Sequence, residues 1–295
     1  MTAIERLKNL AETDPAVAPM AVLQLEALQA AADPGWERGV PGFEGHRLAE
    51  GVPLLHGTSL SVDGERAAGL LQRLAAAAAE HAGIQVQHLL GSEVTAVELI
   101  ATSIARDTGR LAQLADELAV EMSLLATLGS VAAVPLLQAC RHRGSPVVAN
   151  SSWDEAYCPV CGAWPTLAEM RGLERQRWLR CGRCGAGWLF RGMVCVFCGC
   201  TDHKDLGYLA PEGERDSRRA ETCECCHSYL KTMATLGALQ PEEVFLRDIN
   251  SVELDIAAIQ QGYGRPEKQG FALQLRVAAR RGSQGPEQYR LRSRG

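Results

Sequence analysis

A mainly α N-terminal helical domain, followed by two small rubredoxin-like or zinc-ribbon β modules and a C-terminal helix, is the fold class this sequence predicts. Three observations predict it. Apolar residues recur at helical spacing through the first half of the 295 residues. All but one of the 11 cysteines fall between Cys158 and Cys226. Those cysteines include four Cys-x-x-Cys pairs. Hydrophobic residues make up 46% and charged residues 22%, a globular balance, but aromatics are only 5%, so the core must rest on Leu, Ala and Val. The formal net charge of −5 lacks the basic excess usual in a dedicated nucleic-acid binder.

Residues 1–150 form the predicted helical domain. Ile4, Leu7 and Leu10 set the first apolar stripe, and Val22, Leu23, Leu25 and Leu28 the second. Asp14-Pro15 is a stop-and-start signal between them, and Asp33-Pro34-Gly35 ends the second helix. Gly35 to Asp63 is rich in Gly and Pro and reads as a long connection. Ala67 to Ala82 is an alanine-rich helix with Leu70, Leu71 and Leu74 as its stripe. Ala96 to Ile104, Leu111 to Leu125 and Val131 to Cys140 continue the pattern, giving six or seven helices and no convincing strand. This half is acidic, with 10 basic and 17 acidic residues.

Met122 to Cys140 carries no charge and approaches bilayer-spanning length. Ser123, Thr127, Gly129, Ser130, Pro135 and Gln138 lie within it. That polar content predicts a buried helix, a break near Gly129 and a second helix, with no transmembrane segment. The opening Met-Thr-Ala-Ile-Glu-Arg lacks the basic start and apolar run of a secretory signal, so a cytoplasmic location is expected. In that reducing compartment, clustered Cys-x-x-Cys pairs read as metal ligands or redox thiols rather than structural disulfides.

The composition changes after His142-Arg143-Gly144-Ser145-Pro146. The reading assigns 151–190 and 191–236 to the two metal modules, with Arg177-Trp178-Leu179 and Val194-Cys195-Val196-Phe197 as β-prone stretches. A C-terminal helix follows over 237–262, with Pro241 at its start and Gly262 at its close. The last segment, 263–295, has eight basic and two acidic residues and reads as a mobile basic tail.

The four pairs are Cys158/Cys161, Cys181/Cys184, Cys195/Cys198 and Cys223/Cys226. A Cys-x-x-Cys turn presents two thiolates on one side of a tight loop, and two such turns close a tetrahedral four-thiolate site. Gly162, Gly185 and Gly199 follow the first three pairs and let the chain turn back beneath a metal; His227 follows the fourth. Loop lengths favour pairing the first knuckle with the second and the third with the fourth, with an interleaved arrangement left open. Such modules have little core, so a metal supplies folding energy. A closed tetrathiolate accepts zinc or iron, and ligand identity favours zinc for a structural site.

Cys140, Cys200 and Cys225 are left over. Cys140 reads as core, and Cys200 and Cys225 as spare thiols, although a pair using Cys225 is conceivable. His46, His56, His81 and His88 show no metal spacing. No Walker loop, Gly-x-Gly-x-x-Gly or His-Glu-x-x-His sequence is present, and closure by four thiolates leaves no open coordination position for hydrolysis. Arg215, Arg218, Arg219 and Lys231 near the last two pairs raise the alternative of a nucleic-acid-binding zinc ribbon. They are interleaved with Glu214, Asp216, Glu221 and Glu224, so no nucleic acid is expected. A thiol-disulfide oxidoreductase is the third alternative, but it would need only one such pair.

The run Tyr157-Cys-Pro-Val-Cys-Gly-Ala-Trp-Pro165, then Leu179-Arg-Cys-Gly-Arg-Cys-Gly185 with Trp188 and Arg191, then Cys195-Val-Phe-Cys-Gly199, then Cys223-Glu-Cys-Cys-His-Ser-Tyr-Leu-Lys231 resembles the formate dehydrogenase accessory protein family (FdhE). The helix bearing Asp248, Leu254 and Asp255 fits as well. Cys200, Cys225 and the basic tail after Gly262 depart from the pattern. The resemblance implies a cytoplasmic maturation factor, not an enzyme, that contacts the formate dehydrogenase catalytic subunit. It implies that the eight paired cysteines hold two iron ions in four-cysteine sites, with zinc as the alternative.

Overall fold

The computed structural model describes residues 1–82 and 92–280. His88 and the basic tail beyond residue 280 lie outside them. The helical half runs α1 (Ala3–Thr13), α2 (Ala18–Ala31), β1 (Ser59–Asp63), α3 (Gly64–Ala82), α4 (Glu93–Ala105), α5 (Thr108–Leu118), α6 (Met122–Ala132) and α7 (Val134–Ala149). The cysteine-rich part runs β2 (Leu167–Arg171), β3 (Gln176–Arg180), β4 (Gly187–Leu189), β5 (Leu206–Leu209), β6 (Arg218–Cys223) and β7 (Ser228–Thr235). Then come α8 (Pro241–Ile249), α9 (Val252–Gln260) and β8 (Arg276–Arg280). The chain separates into two compact units. One comprises Met1–Phe43, Leu55–Gly144 and the segment from Leu273; the other comprises Glu44–Leu54 and Ser145–Ala272.

In the first unit, local chemistry sets the helix ends. Thr2 and Glu5 form a reciprocal capping box at the start of α1, with the Thr2 N–H donating to Glu5 Oε2 at 2.7 Å. Asp107 caps α5 by accepting from the Arg110 N–H. Leu7, Leu70, Leu74, Leu99, Ile104, Leu125, Leu128, Leu136 and Cys140 are fully buried, so the Leu-based core and the buried Cys140 are as expected. Helix α6 together with α7 is long and apolar enough to cross a membrane, but most of its apolar stretch is buried inside the protein, as in a core helix.

Several boundaries differ from the sequence reading. The stretch predicted as one helix over Leu111 to Leu125 is two, because Ala119 turns left-handed at φ 51° and Glu121 caps α6 by accepting from the Leu124 N–H. The break expected near Gly129 falls at Ala133 instead. Gly129 is inside α6 because α4 crosses it closely; a Cβ there would lie 2.8 Å from Leu99 Cδ1. Helix α7 continues past Cys140 to Ala149. The long connection from Gly35 contains two 3-10 turns, Pro34–Gly39 and Leu48–Glu50, and ends in a strand where none was expected. That strand, β1, pairs in parallel with β8, in register from Ser59 opposite Arg276 to Asp63 opposite Arg280. Arg276–Arg280, within the segment read as a mobile tail, thus form a strand.

The second unit is built on one six-stranded sheet of order β4-β3-β2-β7-β6-β5. The modules predicted over 151–190 and 191–236 thus share a sheet rather than forming two. Their junction is the parallel pair β2–β7, with Leu167 opposite Lys231 and Arg171 opposite Thr235; every other neighbour in this sheet is antiparallel. Val194 to Phe197 is no strand, because it winds into the third knuckle. The single predicted C-terminal helix is two. Ser251, buried between α8 and α9, sends its hydroxyl back to the Arg247 carbonyl at 2.8 Å. Leu254 and Ala258 of α9 pack on Ala220 and Tyr229 of the sheet.

Candidate metal centres

Each knuckle is a backbone hydrogen-bond motif before it is a ligand set. In the first, the Gly162 N–H donates to the Cys158 carbonyl at 2.8 Å, and the Cys158 N–H donates to the Ala163 carbonyl at 2.8 Å. The second repeats this with Gly185 on Cys181 and Cys181 on Ala186, both at 2.9 Å. The third repeats it with Gly199 on Cys195 at 2.9 Å and Cys195 on Cys200 at 2.8 Å. The turn demands a left-handed residue after the second Cys, and Gly162, Gly185 and Gly199 supply it at φ 66°, 76° and 77°. In the fourth knuckle His227 takes that conformation at φ 50°, between the ends of β6 and β7. This backbone role accounts for His227.

The knuckles assemble in chain order. Cys158, Cys161, Cys181 and Cys184 converge as site 1, and Cys195, Cys198, Cys223 and Cys226 as site 2, with the Sγ atoms of each group within 4.8 Å of one another. The interleaved arrangement does not occur. Cross-knuckle Sγ–Sγ distances are 3.6 Å for Cys158–Cys184 and 3.5 Å for Cys161–Cys181. In site 2, Cys195–Cys226 and Cys198–Cys223 are both 3.7 Å. A tetrahedron with metal–sulfur bonds of about 2.3 Å has edges of about 3.8 Å. Both groups of four fit an ion of that size and could each hold one.

Site 1 is sealed: all four of its cysteines are buried. Burial pushes the Cys158 and Cys184 thiols well up. Hydrogen bonds from Cys158, Cys181 and Cys184 hold Cys161 well down. Burial thus opposes ionisation of Cys158 and Cys184, and a bound cation is what would offset that cost. Site 2 is more open, with Cys198 exposed and Cys226 half-buried.

Two buried arginines on β3, which the sequence reading passed over, hold the knuckles in place. Arg180 Nη2 donates to the Gly185 carbonyl at 3.1 Å, while its Nη1 reaches buried Glu169 at 2.7 Å and the Leu239 carbonyl at 2.9 Å. Arg177 Nη1 donates to the Val194 carbonyl at 2.8 Å, at the entry to the third knuckle, and its Nη2 pairs with Glu221 at 2.7 Å. Their signal was position, since Arg180 directly precedes Cys181. The start of the predicted tail also belongs to site 1. The Phe271 N–H donates to the Gly162 carbonyl at 3.0 Å, and Trp164 Nε1 donates to the Lys268 carbonyl at 2.8 Å.

The basic residues near site 2 are engaged within the protein. Arg218 pairs with Glu214 and, at 2.5 Å, with Glu253. Arg219 pairs with Glu221 at 2.8 Å, and Arg215 lies 3.8 Å from Asp216. Lys231 is buried against Asp248 and Asp255 at 2.5 and 2.6 Å.

Two four-cysteine groups on a shared sheet define a class: a protein with zinc-ribbon-like modules whose cysteine clusters suggest metal binding. Comparison with known proteins shows what the chain is similar to. Residues 194–271 match the family model described as FdhE, C-terminal domain. A protein named as an FdhE homolog from Aquifex aeolicus (strain VF5) is 36% identical over 124 residues, covering 40% of this chain and 42% of that relative. One of the same name from Stutzerimonas stutzeri (strain A1501) is 34% identical over 116 residues, covering 38% and 37%. The chain thus spans about four tenths of the length of these curated relatives. The crystal structure of the FdhE protein from Pseudomonas aeruginosa superposes with a TM-score of 0.52 at 22% identity, covering 90% of this chain and 92% of that one. This likeness bears on the fold alone. The chain is thus similar in sequence to FdhE proteins over part of its length.

Proposed function

We propose that this protein is a cytoplasmic accessory factor, not an enzyme, for the maturation of formate dehydrogenase. In this reading it binds the catalytic subunit and carries two tetrathiolate metal sites. The eight ligands are Cys158, Cys161, Cys181 and Cys184 in site 1 and Cys195, Cys198, Cys223 and Cys226 in site 2. Iron fills both, with zinc as the alternative ion. The observation that carries the proposal is the convergence of all four knuckles into two four-cysteine groups, the second of them inside the residues that match the FdhE C-terminal domain. Closure by four thiolates supports a structural or electron-carrying role over hydrolysis, because no coordination position is left for substrate. The ion pairs of Arg215, Arg218, Arg219 and Lys231 argue against the nucleic-acid alternative, since those cations are already matched by carboxylates.

The test is affinity capture from native cytoplasm under reducing, anaerobic conditions, with mass spectrometry of the eluate and metal analysis of the bait. A formate dehydrogenase catalytic subunit is expected in the eluate and is lost when Cys181 and Cys184 become Ser. Recovery of nucleic acid or an unrelated complex in its place overturns the client assignment. A folded variant with all eight ligands replaced by Ser that still supported formate dehydrogenase activity would remove the metal from the function.

A further inference from the structure

Cys200 and Cys225 belong to neither four-cysteine group, yet the fold brings them together. Cys200 closes the third knuckle, where its carbonyl accepts from the Cys195 N–H at 2.8 Å. Cys225 sits within the turn of the fourth knuckle, and its side chain is exposed. Their Sγ atoms are 2.8 Å apart, closer than any of the cross-knuckle pairs of the two sites at 3.5–3.7 Å. Two ligands of one tetrahedral ion would stand about 3.8 Å apart, so this spacing is not that of a shared metal. The surroundings fix the pair. The Glu224 N–H donates to the Asp205 carbonyl at 2.8 Å, tying the segment after Cys200 to the fourth-knuckle turn, and Asp205 Oδ2 lies 3.4 Å from Cys225 Sγ.

We propose that Cys200 and Cys225 form a redox dithiol whose disulfide covalently joins the two knuckles of site 2. The oxidant is a disulfide compound, glutathione disulfide or a protein disulfide, acting by thiol–disulfide exchange. Cys225, the exposed partner, attacks one sulfur of the oxidant. The oxidant's S–S bond breaks, a mixed disulfide forms on Cys225, and the first leaving thiolate takes up the proton Cys225 gave up. Cys200 then attacks the Cys225 sulfur, and the second leaving thiolate takes up the Cys200 proton. Two protein thiols are oxidised to one disulfide, and one disulfide is reduced to two thiols. The link adds a covalent bond between knuckles already tied by the Glu224–Asp205 backbone bond and by the pairing of Leu206 with Cys223, so the oxidised form keeps Cys195, Cys198, Cys223 and Cys226 near one another whatever ion they hold.

The experiment equilibrates the full-length, metal-loaded protein in glutathione buffers from fully reduced to fully oxidised. Acid quench, alkylation and peptide mass spectrometry follow, with metal stoichiometry measured in parallel. A Cys200–Cys225 cross-linked peptide is expected as the first disulfide to form, with the mass of two hydrogens lost and site 2 metal retained. C200S and C225S lose that peptide and leave the eight ligand cysteines reduced, and in C200S Cys225 stops at the mixed disulfide with glutathione. Cys200 and Cys225 alkylatable at every poise overturn the proposal. So does a first disulfide made from a site 2 ligand, or an extra metal ion per chain that disappears in C200S.

Discussion

The Nζ of Lys231 lies 2.6 Å from Oδ2 of Asp255 in α9, and the lysine side chain is 1% exposed. The same nitrogen meets Asp248 Oδ1 at 2.5 Å and the Asp248 carbonyl at 2.7 Å. Tyr229, which shares a face of β7 with Lys231, donates its hydroxyl to Asp255 Oδ1 at 2.7 Å. Lys231 is therefore the tether by which the central strand β7 holds both C-terminal helices. The Tyr-Leu-Lys that follows the last knuckle is a structural clamp beneath site 2.

The clamp should be asymmetric to mutation. Lys231 is the buried member, whereas the Asp255 and Asp248 side chains keep 22% and 37% exposure. Removing a partner from a buried charge costs about 3–5 kcal/mol because the remaining charge loses its compensation. D248N/D255N, which strands the lysine, is expected to destabilise the second unit by that order. K231M leaves Asp255 with Tyr229 and Arg265 and lets the Asp248 carboxylate turn to water, and it is expected to cost less. Urea titrations of both variants at neutral pH check the ranking.

Gly129 gives a second prediction. A Cβ at this position lies 2.8 Å from Leu99 Cδ1 and closer still to Ser103 Oγ, across the α4–α6 crossing. G129A should cost about 1–3 kcal/mol by overpacking, although alanine is the better helix former. Pairing it with L99A should recover part of the loss, which thermal unfolding of the single and double variants would reveal.

These cases show what the chain discloses locally. Three knuckles are legible because two thiols and a glycine in five residues already specify the turn, the fourth by its two thiols alone, and loop length favours the pairing in chain order. Gly129 was read as a break because a glycine in a helix looks the same whether it ends the helix or lets another approach. The β1–β8 pair was invisible for a different reason. Ser59–Asp63 and Arg276–Arg280 are parallel partners more than 200 residues apart, and neither carries a turn signal that would announce the other. Phe271 and Lys268 were hidden likewise, since their contacts with Gly162 and Trp164 depend on the folded knuckle and not on their own composition.

Asp33 supplies a pH prediction. The Gly35 N–H and the Arg66 guanidinium donate to its carboxylate, and these bonds hold its carboxyl below the ordinary value. A carboxyl lowered in the folded state adds stability that is present above the unfolded pKa and lost as pH falls through the folded one. The side chain is about half exposed, so the contribution should be under about 1 kcal/mol. D33N should be slightly less stable than the parent at neutral pH and converge with it in the acid range. Parallel unfolding curves from neutral pH down to the acid limb would reveal a constant offset if the reasoning is wrong.

In metal-loaded protein, the two four-cysteine groups should not release their ions together. Site 1 has four buried cysteines, and a chelator can reach its ion only if the second unit opens locally. Site 2 has Cys198 exposed and Cys226 half-buried, so a chelator can displace thiolates there one at a time. Removal is therefore expected in two phases. The fast one belongs to site 2 and depends on chelator concentration; the slow one belongs to site 1 and is limited by opening. Because such modules have little core, ion loss and unfolding are coupled, and mild urea should accelerate the slow phase far more than the fast one. C198S should abolish the fast phase while leaving the slow one, with one ion per chain still bound. C161S should do the reverse. Release followed with a colorimetric chelator, alongside circular dichroism, tests the assignment: a single phase insensitive to urea in all three proteins would mean that exposure of Cys198 does not govern access to the ion.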